Sequence, residues 1–335
     1  MTTDAATAVA ERYGRFAREE APGRSALYAD WARGVAADAD VSALLARIPE
    51  TRRQPPLVFA VTRLLGAPEE PFAAWAAWLA AHADEVVAEA SHRRLQTNEP
   101  QRSAALLPAL STIDGPIALL ELGASAGLCL YPDRYSYRYR TPEGVVALDP
   151  TDGVSAVVLD CEVRGERRPP LRMPDIVWRA GIDLEPLDAA DPTDARFLEA
   201  LVWPGEIGRV ERIRAALRIA ASDPPLLVAG DASDPAVLFA LAARVPVGAT
   251  LVVTTPGVLP HIPRAGRERL LGALRDLDAV WVTIDPPALH EAWHPPVDPA
   301  AWGGFVLGRD AVPVAAVDPL GGFVEWRADP AARAG

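Results

Sequence analysis

The 335-residue chain contains no lysine; all 33 of its basic residues are arginine. A pyridoxal phosphate Schiff base and a phosphate-loop lysine both need a side-chain primary amine, so both classes are excluded. Cysteine is almost as scarce. Cys129 and Cys161 stand far apart without CxxC spacing, which rules out a zinc ribbon and a disulfide framework. No run of about 18 uninterrupted apolar residues is present, and residues 1–10 lack the basic-then-apolar order of a signal peptide, so a cytoplasmic location is expected. Positive charge is outnumbered, 33 basic against 45 acidic residues, for a formal net charge of −12. Such a surface repels phosphate backbones and anionic lipid heads, so the expected partner is a small molecule, with no nucleic acid and no membrane.

Apolar residues make up 50 % of the chain, enough for a sizeable core. In the first third they recur at helical spacing: Leu27, Tyr28, Trp31 and Val35, then Leu57, Val61 and Leu64, then Phe72, Trp75, Trp78 and Leu79. Pro and Gly punctuate these runs, and the tryptophans read as core packing. An all-helical N-terminal domain over 1–113 is expected. At Asp114-Gly115-Pro116 the pattern changes. Short apolar runs at 118–122, 176–182, 226–228, 250–254 and 279–284 end in Gly or Asp and alternate with helical stretches at 192–202, 206–221, 233–243 and 264–276. Buried strands alternating with helices predict an α/β domain, 114–335, with a mostly parallel sheet. Tyr135, Tyr137 and Tyr139 at period two, followed by Val157, Leu159 and Val163, predict an inserted β-hairpin at about 135–170. Residues 304–327 predict a terminal antiparallel pair.

Three of the strand ends carry the chemistry. The first runs through Glu121 into Gly123-Ala124-Ser125-Ala126-Gly127, a glycine-rich turn expected to open a helix whose free N–H groups face a carboxylate or phosphate. Pro132 should shorten or kink that helix. The second strand ends at Gly181-Ile182-Asp183, where a carboxylate can take both hydroxyls of a ribose. The third ends at Gly230-Asp231, where an acid can accept from an adenine amino group.

On these residues the stretch from about 114 to 327 resembles the Rossmann-fold methyltransferases that use S-adenosylmethionine. That resemblance implies a methyltransferase-type sheet and S-adenosylmethionine as cofactor. Glu121, Gly123, Ser125 and Gly127 would lie at its methionine part, Asp183 at the ribose and Asp231 at the adenine. Arg53-Gln54-Pro55, Gln96-Thr97-Asn98-Glu99, Asp133-Arg134-Tyr135 and Val202-Trp203-Pro204 extend the likeness across the whole chain to a family of uncharacterised bacterial proteins. That closer likeness implies a shared fold and supplies no activity.

Two other motifs compete. Gly123-Ala124-Ser125-Ala126-Gly127 also spells GxSxG, the nucleophile elbow of α/β-hydrolases, with Asp231 or Asp285 and His290 or His294 available in the right order. The helical N-terminal half offers no oxyanion strand for it. His290-Glu291-Ala292-Trp293-His294 spells HExxH, but prolines at 286, 287, 295 and 296 leave no room for the motif's helix, so no metal is expected. Asp285-Pro286-Pro287 reads as a turn first, although its place at a strand end makes Asp285, His290 and Glu291 possible pocket residues. The expected activity is methyl transfer to a small molecule, with a serine esterase or a non-catalytic binding module as alternatives. For the acceptor, the candidates are Glu99 and Arg102, three residues apart on one expected helix face, with His261 as a third catalytic candidate and Arg53 and Gln54 as neighbours. Asn98 is expected to cap that helix.

Overall fold

A computed structural model describes residues 2–328. It is a mixed α/β protein with a helical N-terminal region and one large, mostly parallel sheet. The chain divides into two compact units: everything up to Thr97 together with Asp191–Arg214, and Asn98–Ala190 together with Ala215 onward.

The first unit opens with six helices: α1 (Thr2–Glu19), α2 (Ala26–Ala37), α3 (Ala39–Leu45), α4 (Pro55–Leu64), α5 (Phe72–Ala81) and α6 (Ala83–His92). Ser25 caps α2 by accepting from the Tyr28 N–H, and Asp38 caps α3 by accepting from Asp40 and Val41. Their apolar stripes meet at Phe59, whose ring packs against Tyr13, Phe16, Tyr28, Trp31 and Trp75. The segment 191–214 joins this unit for a physical reason that spacing along the chain does not reveal. Arg63 on α4 donates to the carbonyls of Ala200 and Val202, and Trp203 packs against Phe16 and Tyr28 under the Arg24 guanidinium. The helix α8 (Pro192–Ala200), capped by Asp191, is thereby held to α4.

The second unit begins with α7 (Arg102–Leu110) and holds the eleven strands found among the described residues: β1 (Pro116–Leu122), β2 (Ser136–Thr141), β3 (Gly144–Leu148), β4 (Val158–Arg164), β5 (Asp175–Asp183), β6 (Leu226–Ala229), β7 (Thr250–Pro256), β8 (Val280–Asp285), β9 (Phe305–Arg309), β10 (Val312–Val317) and β11 (Phe323–Trp326). Their order is β3-β2-β4-β11-β10-β9-β8-β7-β1-β5-β6. The five strands β6, β5, β1, β7 and β8 are parallel neighbours. The chain winds outward from β1 through β5 to β6, then returns to the other side of β1 as β7, so the winding reverses between β1 and β7. Leu120, Leu122, Val253 and Trp281 on one face pack with Leu238 of α10 (Pro235–Ala242) and Leu270, Leu271 and Leu274 of α11 (Arg264–Asp276). The helix α9 (Arg209–Ser222) precedes β6, and the division between the units falls within it.

Four sequence expectations change here. The boundary placed at 113/114 moves to 97/98, because α7 is tied to the sheet unit: Tyr139 on β2 donates to the Ala104 carbonyl and Ser111 to that of Arg172. The hairpin at 135–170 exists as β2 and β3, but β4 pairs in parallel with β2 on one side and β11 on the other, so the insertion extends the main sheet. The terminal pair is a three-stranded antiparallel run, β9-β10-β11. Finally, no α-helix follows the glycine turn. Residues Leu128–Leu130 form a single 3-10 turn, after which Pro132, lacking an N–H and fixed in φ, prevents continuation. Among the described residues no helix is long and apolar enough to cross a membrane.

Phe59 is fully buried and central to the aromatic cluster. Phe59→Ala is expected to destabilise the protein by about 3–5 kcal/mol, read as a lowered urea midpoint for the helical unit.

Candidate functional site

The residues of interest gather at the carboxyl ends of β1, β7 and β8, beside the reversal of winding, where open parallel sheets place their ligands. Glu121, next to last in β1, stands in register with Thr254 on β7 and Gly181 on β5. Its side chain is 4 % exposed and Oε2 has no hydrogen-bond partner. Burial pushes its carboxyl up to about 8, with Asp183 raising it further and Arg102 opposing. It is therefore largely protonated at neutral pH.

The loop after Glu121 is built by backbone geometry. Gly123, Ser125 and Gly127 all have positive φ (76°, 53° and 73°). The first is also packed: a Cβ on Gly123 would lie 2.6 Å from Val258 Cγ2. Gly123→Val would therefore disturb the loop itself and is no clean probe of a ligand. The Gly123 and Ala124 N–H groups both donate to the Ile182 carbonyl. Asp183 accepts from the Ser125 N–H at 2.8 Å through Oδ2 and from the Glu185 N–H at 2.9 Å through Oδ1. This acid thus braces the glycine loop, while keeping lone pairs for another donor. Asp231 is exposed and accepts from the Ser233 N–H.

Ser125 is buried at 2 % exposure, and its Oγ has no hydrogen-bond partner. Among the described residues no base is hydrogen-bonded to that Oγ, as an activated elbow nucleophile needs. The histidines of the HExxH segment fare no better as a helical pair: His290–Ala292 is one 3-10 turn, and Glu291 is engaged by Arg267 at 2.6 Å. Among the described residues no group of three or more His, Cys, Asp and Glu could hold a metal ion.

Arg102 is close enough to Glu121 to act on its carboxyl, and Glu99, Arg102 and Glu121 all act on the Cys129 thiol. Glu99 is 1 % exposed and precedes the helix; Oε1 accepts from the Gln101 N–H, and its carbonyl accepts from the Cys129 thiol. Burial pushes that thiol up, as do Glu121 and Glu99, so it stays protonated. The expected cap is corrected: α7 starts at Arg102, its cap position is Gln101 without a side-chain bond, and Asn98 is buried with Nδ2 unsatisfied. Arg102 Nε donates to the Pro319 carbonyl at 3.1 Å and Nη1 to the Pro256 carbonyl at 2.9 Å. The guanidinium rests on Gly257, where a Cβ would come within 3.3 Å of Nη2. His261 is exposed at the end of the 3-10 turn Leu259–His261, and its ring makes no hydrogen bond among the described residues. Arg53 and Gln54 belong to the first unit, where Arg53 donates to the Ala46 carbonyl and Gln54 to that of Thr51.

The most deeply buried acid here is Asp285. It ends β8 fully buried; Thr283 donates to one oxygen, the Leu259 N–H also bears on the carboxyl, and Oδ1 makes no full hydrogen bond. Burial holds it well above the usual carboxylate range. Thr283 and Thr255 bond at 2.6 Å, and Trp281 Nε1 donates to Thr255, so a polar chain runs through the sheet to this acid. Its place at a strand end marks it as a possible pocket residue in the sequence; its depth is what the structure adds.

The geometry defines an α/β protein with two buried acids and one arginine at its sheet edge. The chain belongs to the family described as "Uncharacterized protein conserved in bacteria (DUF2332)", whose model matches residues 10–326. No curated protein and no solved structure matches the chain.

Two outcomes are expected. A carboxyl raised on folding contributes stability that is complete below its unfolded value and lost as pH rises through its folded one. For Glu121 that window runs from 4.5 to about 8. Glu121→Gln should flatten the fall of the urea midpoint across it; an unchanged pH profile would show the carboxyl to be unperturbed. A serine-directed fluorophosphonate should leave the protein unlabelled, and stoichiometric labelling lost in Ser125→Ala would reinstate the esterase.

Proposed function

We propose that the sheet unit is Rossmann-like, binds S-adenosylmethionine and transfers its methyl group to a small molecule. The observation that carries this reading is the Glu121 carboxyl, buried with Oε2 unbonded at the end of the strand where the winding reverses. An orphaned buried acid is costly, and an ammonium group beside it removes the cost by ionising it. The strand order supports the reading, because β1, β5 and β6 are consecutive neighbours and bear or precede Glu121, Asp183 and Asp231. Each acid could serve one part of an adenosyl amino acid: ammonium, ribose hydroxyls and adenine amino group. Since the glycine turn leads to no α-helix, the amino-acid head would rely on Glu121 rather than on a helix end.

Bound there, S-adenosylmethionine supplies a methyl group on a sulfonium centre. The chain's own part is to orient and to exclude water. Asp183 holds the loop at Ser125 and keeps spare lone pairs for hydroxyls. Val258 against Gly123 fixes the wall of the loop. The buried faces of Thr254 and Asp285 keep the β7 and β8 ends dry.

The test is titration calorimetry with S-adenosylmethionine and S-adenosylhomocysteine at pH 7 in buffers of different ionisation enthalpy. Glu121 is mostly protonated below about 8, so pairing with an ammonium should release close to one proton per ligand. Above that pH the release should vanish. Glu121→Gln should abolish it and weaken binding about tenfold or more. Absence of heat and of a melting shift with either ligand at millimolar concentration would refute the reading.

A further inference from the structure

Arg102 is held as though for a ligand. Two of its nitrogens are fixed on the Pro319 and Pro256 carbonyls, and its plane rests on the bare backbone of Gly257. Among the described residues the third nitrogen, Nη2, makes no hydrogen bond and the side chain makes no ion pair. Yet Arg102 is near enough to both Glu121 and Asp285 to favour their ionised forms. Both of these side chains are more than nine-tenths buried, and each has an oxygen that makes no full hydrogen bond. The register places them together: Arg102 holds the Pro256 carbonyl and rests on Gly257, whose N–H donates to the Ile284 carbonyl, one residue before Asp285.

We propose that Arg102 and Asp285 form a half-site for the carboxylate of a small organic acid at the β7 and β8 ends. The carboxylate takes the free edge of the guanidinium at Nη2, and Oδ1 of Asp285 meets a polar group of the same molecule. Charge and donor counts select this class. One guanidinium balances one negative charge, whereas a phosphate dianion would face the Pro256 and Pro319 carbonyls and two carboxyl groups with that single cation. The β7 and β8 ends lie on the opposite side of β1 from β5 and β6, so the half-site does not compete with residues Asp183 and Asp231. If the cofactor reading holds, this acid is the methyl acceptor; that assignment rests on it, and the half-site itself does not.

The experiment uses the full chain without cofactor. Benzoate and acetate are titrated by saturation-transfer NMR, with inorganic phosphate as competitor, and phenylglyoxal modification of Arg102 is followed by peptide mass spectrometry with and without benzoate. Saturable benzoate binding, displaced by acetate and not by phosphate, with Arg102 protected, is the expected result. Arg102→Lys, which keeps the charge and loses the planar fork, should weaken benzoate about tenfold in a variant whose circular dichroism shows it folded, with some fall in melting temperature from the lost Pro319 or Pro256 contact. Should that variant not fold, protection of Arg102 in the unmodified chain decides. Absence of benzoate binding, unprotected Arg102, or preferential phosphate binding would each overturn the proposal. Benzoate binding at Arg102 alongside silence toward S-adenosylmethionine would uphold the half-site and remove the cofactor reading; the converse result would do the opposite.

Discussion

A carboxyl group enclosed by protein with one oxygen unbonded costs on the order of 1–3 kcal/mol even when neutral, and far more when ionised. Glu121 stands in that position at the end of the central strand, and the loops around it are shaped by the need to tolerate it. The neighbouring strands offer a glycine (Gly181) and a threonine (Thr254) in register with it. Three positive-φ residues turn the chain sharply away after Leu122, so that the loop folds back over β5 rather than running on as a helix. Gly181 has no side chain for a related reason: a Cβ there would lie 2.4 Å from that of Ala124. Loop, strand ends and acid are one construction.

The same construction bears on how the GxSxG motif at Ser125 is read. In an α/β-hydrolase the serine is lifted on a strand-to-helix turn toward a histidine. Here its N–H donates to Asp183 and its carbonyl accepts from Leu187, which pulls the residue down onto the loop. A GxSxG string thus describes two different turns, and the residues on its C-terminal side distinguish them. Pro132 was the visible clue that the chain would not continue as a long helix.

Much of the fold was legible because burial on both faces leaves a plain mark. The strands β1, β5, β6, β7 and β8 were readable as short apolar runs, and α8, α10 and α11 as amphipathic stretches between them, each within a few residues of its observed limits. Acids at strand ends could be read for the same reason, since Glu121, Asp183 and Asp231 interrupt or close apolar runs. Features built by distant pairing left no local mark. Nothing near residue 160 announces that β4 will accept β11, and nothing near residue 63 announces that Arg63 will bind the carbonyls of 200 and 202. Asn98 had the composition of a helix cap, yet Glu99 takes the Gln101 N–H instead, because a carboxylate outcompetes an amide oxygen for a backbone donor. Asp285 was readable as a possible pocket residue at a strand end, but its prolines describe the turn and say nothing of depth.

Net charge and the charge of individual buried groups are set by different physics. A formal charge of −12 argues soundly against polyanionic partners at long range, where many surface carboxylates act together. It says little about a buried edge, where depth decides which groups are charged. Glu121 and Asp285 are both held toward their neutral forms by burial, while an arginine cannot lose its proton under any ordinary condition. The carboxyl groups nearest Arg102 therefore withdraw their negative charge and the guanidinium keeps its positive one. At the ends of β7 and β8 burial thereby weakens the negative charge that Glu121 and Asp285 would otherwise set against Arg102. Surface charges at a distance are screened by salt within about 10 Å, so the local charge, not the global one, governs what is held there.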